Sequence, residues 1–355
     1  MKTLVIEKQA VKNNLSVIKQ RAGRSVIYGV LTGDAYGAGL TEMARLLRDE
    51  GIGRFAVGEA EEAAALRKAG FVDEEILMLR SVSDRDELET LVDLNVVCTI
   101  ASVDTALALN ALAESRSTVV EAHIQVDVGL GFGGFLTEEP DKILSIYRNM
   151  PNVAISGIYT QIQSQRRDGR DAATQLSGFQ KLLETIHQAG FETGTVHAAG
   201  SYALMHYDFA RLGAVRPGSV LLGRCRRTKG DGLQRVGYGE ATLEEVRWLP
   251  QGHTVGSEHL ITLKRPTRVG VLSVGYQNGF GISRVRDRGL WGAIRRWWSG
   301  RHITVRIAGQ KARVIGAIGA METLVDLTDL KCSAGDTVIF DIDPMYARGL
   351  KREYR

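Results

Sequence analysis

Cysteine is scarce. Cys98, Cys225 and Cys332 are the three in 355 residues, far apart and without C-x-x-C spacing. An odd, dispersed set argues against a disulfide framework or a zinc site and fits a reducing compartment. No apolar run approaches membrane-spanning length. The segment from Met1 to Glu7 lacks the apolar core and small-residue cleavage site of a signal peptide, so the cytoplasm is the expected location. A strong excess of one charge is missing too. The formal net charge of +4 is small at this length and gives no ground for expecting nucleic acid as a partner. The seven histidines show no metal-ligand spacing. There is no His-Glu-x-x-His, no Gly-x-Ser-x-Gly elbow and no glycine loop closing on Lys-Ser/Thr.

What is present is ordinary for a soluble globular chain, with 44% hydrophobic and 24% charged residues. Short β-branched runs alternate with helical patterns from 25 to 225. Eight candidate strands fall at 25–31, 54–59, 75–80, 96–102, 120–127, 153–160, 193–198 and 218–222. Between them lie segments such as 59–70, acidic at its start, basic at its end and stopped by Gly70. Eight β–α units in about two hundred residues point to an α/β fold, a closed parallel (β/α)8 barrel. A doubly wound open sheet is the alternative, but no Gly-x-Gly-x-x-Gly follows the first strand. After Gly223 a basic, glycine-rich crossover leads to short alternating strands, which predict an all-β domain. The expected division is a barrel over 1–234 and a β domain over 235–355.

Several blocks carry a resemblance. The run Val26-Ile-Tyr-Gly-Val-Leu-Thr-Gly-Asp-Ala-Tyr-Gly-Ala-Gly39 ends the first strand. Phe55 to Ala63, His197 to Ser201, Val215 to Gly223 and Val274 to Phe280 follow in order. Together they resemble the alanine racemases, barrel-type amino-acid racemases that use pyridoxal phosphate. The similarity runs from about residue 3 to about 345. It implies a TIM-type barrel followed by a C-terminal β domain, in a head-to-tail dimer. In that family the first block reads Lys-Ala-(Asp/Asn)-Ala-Tyr-Gly-His-Gly, and its lysine holds the cofactor as a Schiff base. Here that position is Thr32, whose hydroxyl forms no imine and is a poor base near neutral pH. The resemblance places the family's second base, a tyrosine contributed across the dimer, at Tyr276.

Other departures accompany Thr32. Gln125 stands for a lysine and Phe132 for the arginine near the cofactor's phenolic oxygen. Gln161 follows Thr160 where the family has Thr-His, and Gly200 replaces an asparagine. Ala320-Met321 replaces the family's Met-Asp. The resemblance implies that Tyr36, Ser201, Gly218 and Ser219 stand where the cofactor phosphate is held. Tyr346 is a looser candidate for the same role, and Arg216 faces the pyridine nitrogen. Pyridoxal phosphate would then bind noncovalently at best, or another small anionic ligand would take its place.

Between 283 and 301 the chain carries an addition to the family pattern. Leu290, Trp291, Ile294, Trp297 and Trp298 share one helical face among arginines. Packing on its own subunit, docking of a partner and contact with an anionic membrane surface are the three readings. Two functional classes follow. One is a degenerate homologue that binds a small ligand or a partner chain, as a homodimer or a heterodimer with a competent racemase. The other is an enzyme with weak or non-standard pyridoxal-phosphate-dependent racemase or isomerase activity.

Overall fold

The computed structural model describes residues 2–164, 169–225, 230–256, 260–282 and 303–355. The Trp- and Arg-rich addition at 283–301 therefore lies outside the described residues. The chain divides into two compact units, one of residues 9–235 and one combining 1–8 with 236–355.

The division is not the one expected from the sequence. β1 (Lys2–Ile6) was assigned with the barrel, yet its register pairs Lys2 with Ala241 and Thr3 with Lys351, both in the β unit. The barrel unit begins at Gln9 instead. Local pattern reports that a segment is extended. It does not report which distant strand will pair with it.

The barrel strands are β2 (Val26–Ile27), β3 (Gly29–Val30), β4 (Arg54–Val57), β5 (Glu75–Ser81), β6 (Val97–Ile100) and β7 (Val120–Asp127). They continue with the short β8 (Phe135–Leu136), β9 (Val153–Tyr159), β10 (Thr195–Gly200) and β11 (Ala214–Arg216). Their parallel order is β2-β11-β10-β9-β7-β6-β5-β4-β3, with β8 beside β7. β2 and β3 are one strand interrupted at Tyr28. Its first half pairs with β11 and its second with β4, which brings the sheet round into a near-closed barrel. Tyr28 N–H donates to the Val215 carbonyl (2.9 Å) and Val30 N–H to the Pro217 carbonyl (2.9 Å), reinforcing that seam.

The eighth strand corrects the expectation of 218–222. It ends at Arg216, because Pro217 has no N–H to continue a ladder. The next residues turn instead: Leu221 N–H donates to Gly218 O (2.8 Å) and Gly223 N–H to Val220 O (2.9 Å). Val220, Leu221 and Leu222 are still buried. A short apolar run reads the same whether it is a core strand or a buried turn.

Helices cover the barrel by burying one stripe each. Leu40–Asp49 buries Leu40, Met43, Ala44, Leu46 and Leu47, a helical spacing, and leaves Glu42 and Arg48 outside it. Ser102 caps Val103–Ser115 by accepting from Thr105 N–H (3.1 Å), and Asp84 does the same for Arg85–Asp93 (3.0 Å). Inside the barrel Tyr28, Val30, Ala56, Leu77, Val97 and Ala214 form one buried cluster. Each large apolar side chain so buried contributes about 1.5–3 kcal/mol.

In the β unit, β12 (Tyr238–Leu249) is the organising strand. β13 (Thr254–Val255) and β14 (Ile261–Thr262) form a separate hairpin. The remaining strands are β15 (Thr267–Leu272), β16 (Thr304–Ile307), β17 (Gln310–Ile315), β18 (Thr323–Asp326), β19 (Thr337–Asp341) and β20 (Lys351–Tyr354). The large sheet runs β15-β18-β17-β16-β19-β12-β1-β20. β12 reaches β19 with Tyr238–Thr242 and β15 with Leu243–Leu249, so the sheet curls back on itself. Gly239 makes room there: a Cβ would run into the Phe340 ring.

Candidate functional site

The carboxyl ends of barrel strands are where a (β/α)8 fold builds its chemistry. After β3 the chain enters an unusual turn. Gly33, Asp34, Ala35 and Tyr36 all lie in left-handed space, with φ of 65°, 55°, 54° and 56°. Non-glycine residues pay roughly 1–2 kcal/mol each for that conformation. Hydrogen bonds hold it: Ala35 N–H to Leu31 O (2.7 Å), Gly37 N–H to Gly33 O (2.8 Å) and Leu40 N–H to the Asp34 carboxylate (2.7 Å). The Glu62 carboxylate bridges the N–H groups of Asp34 and Gly58, each at 3.0 Å. Thr32, half-buried, opens this turn. Its methyl group rests against Gly58, 3.1 Å from where a Cβ would stand.

Across the barrel, two expected residues meet. Ser201 Oγ accepts from Gly218 N–H (2.9 Å) and Val220 N–H (3.3 Å), joining the ends of β10 and β11. Gly218 also lies against the Tyr36 hydroxyl, so closely that a Cβ there would strike it. Tyr36, Ser201 and Gly218 are thus brought together. Ser219 sits half-buried beside them. The Gly218 N–H, expected to face an anion, is engaged by Ser201.

Arg216, at the end of β11, is buried and makes no ion pair with a described residue. Its acceptors are all neutral: His197 Nδ1 (2.6 Å), the Thr160 carbonyl (2.7 Å) and Gln161 Oε1 (2.8 Å). Its guanidinium also lies over the Tyr159 ring at 4.8 Å. Burial lowers its pKa to about 10, still charged at neutral pH. A buried cation served only by neutral acceptors is costly unless something else satisfies it. Arg216 Nε makes no hydrogen bond to a described residue.

Behind Arg216 two buried histidines form a relay. An arginine only donates, so His197 Nδ1 must accept and its proton sits on Nε2. That proton points to His123 Nδ1 at 3.0 Å, which places the His123 proton on Nε2. Burial, then the Arg216 charge, pushes His123 down to about 3 and His197 well below its usual value. Tyr159 stacks on His197 (4.9 Å between centroids) and Tyr28 on its other side (5.6 Å). The Tyr28 hydroxyl is hydrogen-bonded to Glu75, and burial raises its pKa.

The changed positions cluster on the remaining strand ends. Gln125 accepts from the Tyr159 hydroxyl (3.4 Å) and donates to the carbonyls of Phe132 (3.3 Å) and Gly133 (3.1 Å). Phe132 itself is 81% exposed, so it does not fill the barrel interior.

In the β unit, three C-terminal blocks converge. Tyr276 N–H donates to Gly319 O (2.9 Å) and Gln277 N–H to Ala320 O (3.1 Å), bringing the tyrosine beside Met321. Gly279 packs on the Tyr346 carbonyl, and Asn278 donates to Arg348 O (3.1 Å). Tyr276 and Met321 are 40% and 47% exposed, presented outward rather than packed into the unit.

The barrel with its strand-end constellation, followed by this β unit, defines a racemase-type two-domain fold. The model of the alanine racemase N-terminal domain matches residues 6–225 and that of the C-terminal domain residues 238–345. The chain belongs to the alanine racemase family. It is 26% identical over 341 residues to an alanine racemase of Methanococcus maripaludis, covering 94% of this chain and 87% of that protein. Among solved structures, an alanine racemase of Clostridium difficile 630 superposes with a TM-score of 0.87 at 22% identity, covering 100% of this chain and 95% of that one. The alanine racemase of Bartonella henselae, with covalently bound pyridoxal phosphate, gives 0.84 at 22% identity, covering 100% and 99%.

The residues present fit that group in part. The buried, anion-free Arg216 suits an acceptor such as a pyridine nitrogen. At the group's phosphate end the Gly218 and Val220 N–H groups are of the right kind but are turned to Ser201 Oγ and would have to leave it to meet a phosphate. Thr32 does not fit its aldehyde end, because a hydroxyl cannot replace the amine of a covalent anchor. Among the described residues no group of histidine, cysteine and carboxylate side chains could hold a metal. None of their helices is long and apolar enough to cross a membrane.

Proposed function

We propose that this chain is a catalytically degenerate member of the alanine racemase family, which binds a small phosphorylated ligand or a partner racemase and does not racemise alone. Thr32 carries the reading. It stands at the end of the first barrel strand, inside an otherwise intact left-handed turn, where the family resemblance places the cofactor-binding lysine. Pyridoxal phosphate supplies an electron sink for a carbanion when bound. This chain's contribution is then to hold the ligand through Arg216, Tyr36, Ser201, Gly218 and Ser219, without a covalent link. Tyr346 is the further phosphate contact in this reading.

As a dimer, the chain presents Tyr276 outward, at 40% exposure. In a mixed dimer that tyrosine completes the partner's site, while the chain's own site stays inactive for want of a lysine. Cytoplasmic location goes with this reading.

A second reading keeps the chain an enzyme, a weak racemase or isomerase using noncovalent pyridoxal phosphate. Arg216, buried and without an ion pair among the described residues, supports it, since its Nε would suit a pyridine nitrogen. Removing one positioned base costs about a hundred- to ten-thousandfold in rate. The test is α-proton exchange of L- and D-alanine in deuterated buffer with added pyridoxal phosphate. The degenerate reading expects no exchange above a protein-free control from well-folded protein. Exchange above it returns the chain to the enzyme class.

A further inference from the structure

Two departures from the family pattern, Gln161 and Gly200, touch each other. Gln161 Oε1 accepts from Arg216 (2.8 Å). Because the guanidinium can only donate, the amide orientation is fixed, with oxygen toward Arg216 and Nε2 on the other side. On that side lies Gly200. A Cβ built there would stand 2.5 Å from Gln161 Nε2 and 3.1 Å from Oε1. In its present pose the glutamine amide reaches Arg216 through space that a side chain at residue 200 would take. The long amide of one position occupies space vacated at the other.

We propose that Gln161 and Gly200 act as a single positioning unit that sets Arg216 for a neutral pyridine nitrogen, so that the site takes phosphorylated pyridines noncovalently as a class. With His197 Nδ1, the Thr160 carbonyl and Gln161 Oε1 engaging NH1 and NH2, Nε is left for the ligand. A donor-only arginine selects an unprotonated ring nitrogen. Thr32 offers no amine, so nothing rewards an aldehyde over an alcohol at the neighbouring carbon. This inference rests on the ligand-binding reading above and specifies its chemistry.

The experiment is calorimetric titration of pyridoxal 5′-phosphate and, separately, pyridoxine 5′-phosphate into the full chain and its variants. The wild type is expected to bind both within about threefold of each other, since an imine would be needed to separate them further. Gly200→Ala should weaken both about tenfold by displacing the amide, and Gln161→Met should do the same by removing a charge-assisted acceptor. Gln161→Glu, which keeps the acceptor, should retain binding. The double variant Gly200→Ala/Gln161→Met should lose no more than either single change, because the two act on one contact. Additive losses, a silent Gly200→Ala in a variant with unchanged melting temperature, or equal loss in Gln161→Glu and Gln161→Met would overturn the positioning unit while leaving ligand binding intact. Tight binding of the aldehyde alone overturns the class selectivity. Failure of the wild type to bind either compound overturns both this inference and the phosphorylated-ligand reading beneath it.

Discussion

The two sides of the barrel mouth have diverged differently. At the ends of β10 and β11, Ser201, Gly218 and Arg216 form a closed set of contacts, with His197 and His123 behind them. At the ends of β3, β7 and β9 stand Thr32, Gln125, Phe132 and Gln161, where the family resemblance places reactive or charged groups. On the proposed reading the first side binds the ligand and the second would have supplied the reacting groups, with Gln161 and Gly200 the seam where the two sides meet at Arg216.

The largest test of that contrast is to restore the lost reagent. Thr32→Lys alone should leave alanine racemisation at least about a hundredfold below that of a competent racemase, the cost of an active site still lacking a positioned group. Phe132, Gln161 and Met321 remain unsuited. Full activity from the single change, measured by coupled D-alanine formation, would place the whole loss at one residue. Next, if this chain pairs with a lysine-bearing homologue, Tyr276→Phe should reduce the activity of the co-purified complex by about a hundredfold or more, the contribution of one general base. Failure of the two chains to co-purify from the native cell would remove the mixed dimer from consideration.

The smallest effect concerns the first side. His123 and His197 are held neutral by burial, with folded pKa values below the unfolded value near 6.5. A depressed histidine pKa means that the unfolded chain binds protons first. For His123 the stability is full above about pH 6.5 and falls as pH drops toward about 3, by up to about 1.4 kcal/mol per pH unit, and His197 adds a loss of the same sign. Urea unfolding at pH 7 and pH 5 should show the loss, and His123→Asn should shrink it. A flat profile between those values would mean that the relay is wetter than its geometry indicates.

Much of the barrel was legible because alternating strand and helix periods repeat over two hundred residues, with segments such as 59–70 marked at both ends by charge and glycine. What escaped was non-local. Pro217 ends the strand at Arg216, whereas the apolar run Val220–Leu222 predicts a strand over 218–222 on pattern alone. Residues 1–8 fell within the expected 1–234 barrel because nothing local reveals a partner that lies beyond residue 235. At the site, Thr32, Gln161 and Gly200 stood out singly against a family block. That Gln161 fills the gap at Gly200 was invisible, since a contact across β9 and β10 leaves no mark on either local pattern. The pairing of His123 with His197, 74 residues apart, was hidden for the same reason. A signal did exist in the adjacency of His197 to the block ending at Ser201.

The placement of β1 also bears on how the chain is made. The barrel unit, residues 9–235, is contiguous and is complete once that stretch has left the ribosome. β1 is synthesised before any of it, yet its two neighbours are β12 and β20. β1 therefore stays unpaired while the barrel unit is made, until β12 can join it, and gains its second neighbour only with Lys351–Tyr354. Its apolar residues Leu4, Val5 and Ile6, all buried in the finished fold, are open to chaperones over that interval.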